Sequence, residues 1–518
     1  MQKIIKLLKR TCRSLFSRYS ISACMIILEV GLLLYILLGN IEGIAFLFLG
    51  MAATAIPAFL SLINKNTNPE YKVPWVFIIL ALPYFGPLIY LLFYQRRMSR
   101  REARHLGGIM DTLRGEGLGD EDLRMLAEEN RLAAGKAYAI TNDYPIAGVY
   151  RGTSSEFFST GEKLFSSMLR DLREAKEFIF LEYFIIDEGA LWNEIHAILI
   201  DKVAEGVDVR LLYDDIGCMK TLPQRYPVLL NKQGIKTHRF NEVNPRVSAI
   251  HHNRDHRKIC IIDGKVGYTG GVNLADEYNN TIRRFGYWKD GGIRLSGLAV
   301  EGLLKMFLSM WDYTAHTVSD YEHFLSSVEP SDSSDNGYYV PFGSGPAPIH
   351  KRPAGKNAFL NMINQAQDYV YITTPYLIID YDLTEALCNA AYRGVDVIII
   401  TPGIADKKIV KVMTKSAYPY LIDAGVKIYE YRPGFIHEKT VISDDKYAII
   451  GTINFDYRSL VHHFENAVWM FNTPAVISAK ESFLISINES EKMDKKKSRL
   501  TPSEWFFKNI IRIFAPLL

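Results

Sequence analysis

Two stretches of this chain combine a histidine, a lysine, an aspartate and an asparagine at the same spacing. The first runs His256-Arg257-Lys258, reaches Asp263 after Ile259-Cys260-Ile261-Ile262, and after six further residues reads Gly270-Gly271-Val272-Asn273. The second runs His437-Glu438-Lys439, then Asp444, then Gly451-Thr452-Ile453-Asn454 across the same gaps, about 180 residues later. A neutral imidazole is a nucleophile or base, and a protonated one is an acid. An ammonium and an amide beside it stabilise an anion. The combination suits attack on a phosphodiester, where one group bonds to phosphorus and another protonates the departing alkoxide. Each motif supplies one histidine and the reaction uses two, so the motifs are expected to face each other across one site.

The elements that must hold these residues follow from the pattern. An apolar run, a polar turn at Asp263-Gly264-Lys265 and a second run ending at Gly270 predict a β-hairpin. Alternate residues of an extended chain share a face, so His256 and Lys258 point the same way and the returning strand brings Asn273 towards them. The glycines permit close backbone approach, and Thr452 adds a hydroxyl where an anion would sit. Asp263 and Asp444 complete the candidate catalytic set, and are expected to tie the hairpin turn and position the neighbouring lysine.

The repeat extends beyond the motifs. Apolar runs at 178–186 and 369–378 correspond. So do Gly206-Val207-Asp208-Val209 and Gly394-Val395-Asp396-Val397, and Gly234-Ile235-Lys236 and Gly425-Val426-Lys427. The expected fold is α/β, with two homologous domains at 151–335 and 336–490, each a mixed β-sheet flanked by helices. The Ser-, Asp-, Gly- and Pro-rich stretch 326–347 is the expected linker, and 96–150 reads as connecting helices.

The paired H-x-K-x4-D-x6-G-x-x-N pattern resembles the phospholipase D superfamily over roughly residues 150–475. Tyr213-Asp214-Asp215-Ile216-Gly217, Asn253-Arg254-Asp255 and Tyr287-Trp288-Lys289-Asp290 resemble its bacterial cardiolipin synthase branch. The resemblance implies a covalent phosphohistidine on His256, with His437 as acid and base, and no metal or other cofactor. Lys258, Lys439, Asn273 and Asn454 would hold the non-bridging oxygens. Asp290 and Glu465 would orient the imidazoles by accepting the proton of the other ring nitrogen. The implied reaction moves a phosphatidyl group from one phosphatidylglycerol to another and releases glycerol. Transfer to water, as in a phospholipase D, or to another alcohol is left open. A superfamily nuclease fits poorly with a net charge of +3. A membrane scaffold that kept a dead fold would tolerate loss of a motif residue, and both motifs are intact.

Other polar residues are weighed singly. Asp214 reads equally well as a family feature and as a strand-terminating turn, Glu182 as facing the site or as merely capped. His251-His252 and His462-His463 lack metal-ligand companions and read as surface. The five cysteines, Cys12, Cys24, Cys218, Cys260 and Cys388, form no metal or disulfide framework and read as buried free thiols.

The termini point to a lipid surface. Residues 1–20 alternate Lys and Arg with Ile and Leu, compatible with a membrane-surface helix or with a positive flank that fixes topology. Apolar segments at 21–39, 43–63 and 73–94 each reach the roughly 20 residues needed to cross a bilayer. Pro74, Pro83, Gly86 and Pro87 interrupt the third, which is expected to bend or re-enter, leaving the catalytic part on the cytoplasmic side of a bacterial membrane. Glu29 within the first segment is a functional or contact candidate, or a carboxyl close to one interface. The tail 491–518, basic and then amphipathic, reads as a second interfacial anchor or as docking onto the protein itself. The expected partners are phosphatidylglycerol, other anionic phospholipids and the membrane, with no nucleic acid; a homo-oligomer is left open.

Overall fold

Two β-sheets with the same strand order carry the duplication. In the computed structural model the described residues are 18–37, 44–65, 67–82, 85–94, 100–115, 120–242 and 253–515. The basic segment 1–17, Pro83, Arg96, Arg97, Cys12 and His251-His252 lie outside them.

The first sheet has seven strands, in the order Thr153–Phe158, Gly292–Gly297, Val266–Gly270, Lys258–Ile262, Phe178–Tyr183, Asp208–Asp214 and Lys236–Phe240. The second repeats that order with Tyr338–Ser344, Glu465–Phe471, Tyr447–Gly451, Thr440–Ser443, Tyr369–Thr373, Asp396–Pro402 and Lys427–Tyr431, and adds Ser490–Lys492 at the far edge. Parallel pairing occurs at equivalent places, between Phe178–Tyr183 and Asp208–Asp214 in one half and between Tyr369–Thr373 and Asp396–Pro402 in the other. The central strands are buried on both faces, which is why they read as continuous apolar runs rather than alternating ones.

Both motif hairpins form in the expected register, with Ile259 opposite Thr269 and Thr440 opposite Ile450. Their turns place two successive residues at positive φ, Asp263 (52°) and Gly264 (67°) in one and Asp444 (55°) and Asp445 (56°) in the other. That backbone twist matches the flanking strands. The stretch read as a linker is shorter than expected: Tyr338–Ser344 within it is an edge strand that pairs with Glu465–Phe471. Patterning missed it because Pro341, Gly343 and Ser344 are poor strand formers, and cross-strand packing overrides their propensity. The helices Arg100–Leu113, Asp120–Glu129 and Arg131–Asp143 contribute Leu106, Met110, Leu126 and Ala137 to the same core as the second sheet.

The described residues divide into two compact units, the one above and a helical one built mainly from the chain before residue 97. The helical unit has Arg18–Leu37, Ile44–Ile63, Val73–Ala81 and Gly86–Phe93 around a small core of Ala58, Leu62, Trp75, Ile79, Ile89 and Tyr90. Its third apolar segment is broken into helices of nine and eight residues. Glu29 is buried and accepts a hydrogen bond from the Phe85 amide at 2.9 Å, satisfying one of the free donors at the second helix's start. Among the described residues no helix is long and apolar enough to cross a membrane. Large apolar side chains nonetheless line its outside, among them Ile27, Leu28, Leu34, Leu60, Leu80 and Leu91. The thiols of Cys218, Cys260 and Cys388 are buried and free, whereas Cys24, expected to be buried, is exposed.

Candidate active site

The two halves meet backbone to backbone beside the histidines. Gly434–Ile436 pairs in parallel with Tyr287–Lys289, and Asp255 forms the matching bridge to Phe464. The His437 amide donates to the Lys289 carbonyl at 2.7 Å, and the His256 amide donates to the Phe464 carbonyl at 2.8 Å. Each contact sets a histidine beside the residue that follows the accepting carbonyl, and in both halves that residue is an acid.

The acids are therefore exchanged between the halves. His256 of the first half bonds through Nδ1 to Glu465 of the second at 2.9 Å. His437 of the second bonds through Nδ1 to Asp290 of the first at 2.6 Å. Both carboxylates are fully buried, and both histidines are nearly so. With Nδ1 held by a buried acid, each imidazole has Nε2 left for a reacting atom, the arrangement of a triad without its serine.

Lys258 Nζ donates to the His256 carbonyl at 2.6 Å, and Lys439 Nζ makes the equivalent bond to the His437 carbonyl. Burial lowers Lys258 to about 7 and Lys439 to about 8. A phosphodiester placed between them would favour the ammonium form of both. Burial also depresses the histidines: His437 falls to about 4, with Lys439 adding to the effect, and His256 falls well below its ordinary range, with Lys258 adding and His437 among the smaller contributors. Both rings are thus neutral in the empty site. Burial pushes the Glu465 carboxyl up to about 8, against the pull of Lys258, Thr452 and Ser459.

The remaining expected residues divide unevenly. Asn273 accepts from the Ile185 amide at 3.0 Å and donates to the Tyr278 hydroxyl at 2.6 Å, so it braces the site. Asn454 is buried, and its Oδ1 has no partner among the described residues. It is the amide of the pair free to turn its polar end to a ligand. Thr452, expected at the anion, instead donates its hydroxyl to Glu465, and its oxygen accepts from the Asn466 amide at 3.0 Å. Gly271 holds the equivalent position in the first half, where a Cβ would come within 2.1 Å of Asp290 Oδ1.

Asp263 and Asp444 tie the hairpin turns, as expected. Asp263 accepts from the amides of Lys176, Glu177 and Phe178 at 2.8, 2.8 and 2.9 Å, and Asp444 does the same for Gln367, Asp368 and Tyr369. Each ties the start of the neighbouring strand to the hairpin turn, at the far end of a strand that begins at or beside the lysine, roughly 16 Å along for Asp263. The expected positioning of a lysine is not what these carboxylates do. Asp263→Ala should cost about 3 kcal/mol by stripping a charged acceptor from three amides, while the folded fraction keeps its turnover. A urea melt read beside kcat checks this; lost turnover with unchanged stability would return Asp263 to the catalytic group.

Asp214 is structural: it accepts from the amides of Ile216 and Gly217 at 2.9 Å and pairs with Arg254 at 2.8 Å, fixing the approach to His256. Glu182 lies 3.6 Å from Arg257 in a buried group with Asp255. His463, read as surface, is buried with its ring 5.7 Å from that of His256. Trp288, 5.3 Å from the His437 ring, and Tyr278, 5.6 Å from it, wall the other side. The repeat register offered a signal for His463, because it precedes Glu465 by two residues as Trp288 precedes Asp290.

A family model described as cardiolipin synthase, PLD-like domain matches residues 168–283 and 359–484, one match per half. A second, phospholipase D-nuclease N-terminal, matches 53–93. The cardiolipin synthase of Alkalihalophilus pseudofirmus is 32% identical over 88% of this chain and 90% of its own length. The chain belongs to the cardiolipin synthase family of the phospholipase D superfamily. Within that family, cardiolipin synthase 2 of Bacillus cereus is 34% identical over 83% of each chain. An uncharacterized protein of Streptococcus mutans is 40% identical over 89% of this chain and 100% of its own. The crystal structure of phosphatidylserine synthase from Haemophilus influenzae superposes with a TM-score of 0.56 at 15% identity, over 74% of this chain and 98% of that one, and shows the same fold.

Proposed function

We propose that this family member transfers a phosphatidyl group from one phosphatidylglycerol to another, forming cardiolipin and glycerol through a phosphohistidine on His256. The observation that carries this reading is the exchanged pair of buried histidine–acid contacts, each of which holds an imidazole through Nδ1 and leaves Nε2 for a reacting atom. His256 Nε2 bonds to phosphorus as the bond to the headgroup glycerol oxygen breaks, and His437 Nε2–H protonates that oxygen. His437, now neutral, takes the proton of the second lipid's hydroxyl, whose oxygen bonds to phosphorus as the N–P bond breaks. Lys258, Lys439 and Asn454 offset the charge gathering on the non-bridging oxygens in both steps. Burial first and Lys439 second hold His437 down, and the negative charge of a bound phosphodiester works against both, favouring its imidazolium in the complex.

The apolar outside of the helical unit supports placing it in a bacterial cell membrane; we read the bent third segment as re-entrant and the catalytic unit as cytoplasmic. An anchored site meets both lipids in the bilayer. The exposed Trp505, Phe506, Phe507 and Ile510 on the helix Pro502–Phe514 support a second, interfacial contact with anionic lipid.

Purified protein given headgroup-labelled phosphatidylglycerol in liposomes should yield cardiolipin and free glycerol in equal amounts. Phosphatidic acid as the main lipid product would instead assign water as the acceptor.

A further inference from the structure

The two halves match so closely around the histidines that one mismatch stands out. Counting back from the inter-half contacts, Lys289 and Asp290 correspond to Phe464 and Glu465, and Trp288 to His463. One reacting imidazole is therefore walled by an indole and the other by a second imidazole, at similar ring separations of 5.3 and 5.7 Å. An indole cannot take a proton; an imidazole can.

His463 is placed by unusual backbone. The segment Arg458–His462 winds as a π-helix, and the His463 amide closes it on the Arg458 carbonyl at 2.8 Å. Such turns are frequent at functional sites because they re-aim the residues that follow. Here the turn buries His463 and brings its Nδ1 to 3.9 Å from Glu465 Oε1. Glu465 uses its other oxygen, Oε2, for His256 Nδ1 and Thr452. Oε1 is buried and makes no close hydrogen bond among the described residues, with the Ser459 hydroxyl also facing the carboxyl. At 3.9 Å it is beyond a direct bond to His463 and within reach through one bridging water or a small ring rotation.

We infer that His463 is a positioning residue that relays a proton for His256: as the N–P bond forms, the proton on Glu465 Oε1 passes to His463 Nδ1, and it returns when that bond breaks. This rests on the phosphohistidine reading. The step balances without any outside reagent. Neutral His256 keeps its Nδ1 proton and becomes a cationic phosphoimidazole. A neutral carboxyl and a neutral imidazole become a carboxylate and an imidazolium, so the new cation on His256 gains an anionic partner when it needs one.

The groups facing His463 explain why the proton moves only then. Burial first, and then Arg458, His462, Arg254 and Lys258, oppose charge on it and hold it neutral before substrate binds. His256 lies on its flank and Glu465 at its Nδ1, so ionisation of Glu465 supplies compensating negative charge there, while the Asp456 carboxyl faces Glu465 from the start of the same turn. The Glu465 carboxyl, held up to about 8 by burial, carries the proton to be relayed at neutral pH.

The test is single-turnover formation of phosphatidyl-His256 from phosphatidylglycerol in mixed micelles, followed between pH 5.5 and 9.5 in the wild type, His463→Asn and His463→Trp, the last copying Trp288. Without the relay, Glu465 must release its proton to solvent, so the acidic limb of both variants should move up towards about 8. Their rate at pH 7 should then fall about tenfold relative to pH 9, the ionised fraction one unit below a pKa. A limb that stays at the wild-type position, or a loss equal at every pH, overturns the relay. A measurement free of substitutions complements it: in wild-type protein carrying 13C-labelled histidine, vanadate at the site should bring the His463 resonance to its imidazolium position, and a resonance that stays neutral overturns the inference. Absence of label on His256 in the wild type would remove the phosphohistidine reading itself, whereas label with an unmoved limb removes only the relay.

Discussion

Replacing either catalytic histidine by alanine should lower phosphatidyl transfer on the order of 10⁴-fold or more, because nucleophile and acid act as a unit and neither has a substitute. The two losses should differ in kind when the leaving group needs no proton. With a phosphatidyl ester of p-nitrophenol, His437→Ala should release about one equivalent of nitrophenol in a burst and then stall, since His256 can still attack but no base activates the acceptor. His256→Ala should give no burst. A burst from His256→Ala and none from His437→Ala would exchange the assigned roles, and substantial transfer in either variant with the natural lipid would sink the shared site. Both side chains are almost entirely buried, so each variant's thermal melt must be read alongside its rate.

Asp290→Asn should be nearly as damaging, with an expected loss of about 10²- to 10⁴-fold. An amide in place of the carboxylate presents a donor to His437 Nδ1 as readily as an acceptor. The imidazole is then no longer held with its proton on Nδ1 and Nε2 open as a base. The informative feature is where the damage falls. Asp290 lies in the first half, yet it contacts the histidine of the second at 2.6 Å. The variant should therefore behave as His437→Ala does, with an intact burst from the nitrophenyl ester and a stalled second step. A variant that loses the burst, as His256→Ala would, contradicts the exchange of acids between halves.

The hairpins, the paired motifs and the equivalence of the two sheets were legible because each rests on local pattern. An apolar run of fixed length with a turn residue at its end reads as the same strand and turn wherever it occurs, and Asp263 and Asp444 sit at such turns in both halves. The edge strand Tyr338–Ser344 was not legible, since its hydrogen bonds to Glu465–Phe471, rather than its own residues, make it a strand. His463 was hidden for a similar reason. Beside another histidine in a polar stretch it looks like surface, and only the π-turn after Tyr457 turns it inward.

By itself the sequence determined what chemistry was available: two histidines, two lysines and two asparagines at matched spacing on matched hairpins, hence a two-histidine site for a phosphodiester. Spacing along a chain governs which residues share a strand face, and that is a local property. Tertiary structure alone decided which acid contacts which histidine, which strand starts Asp263 and Asp444 hold, that Thr452 bonds to Glu465, and that an imidazole stands where symmetry would put an indole. Those outcomes depend on how the two halves meet, through the separate two-stranded pairing of Gly434–Ile436 with Tyr287–Lys289 and the bridge of Asp255 to Phe464. Such contacts join residues some 150 to 210 positions apart, and no local pattern encodes them.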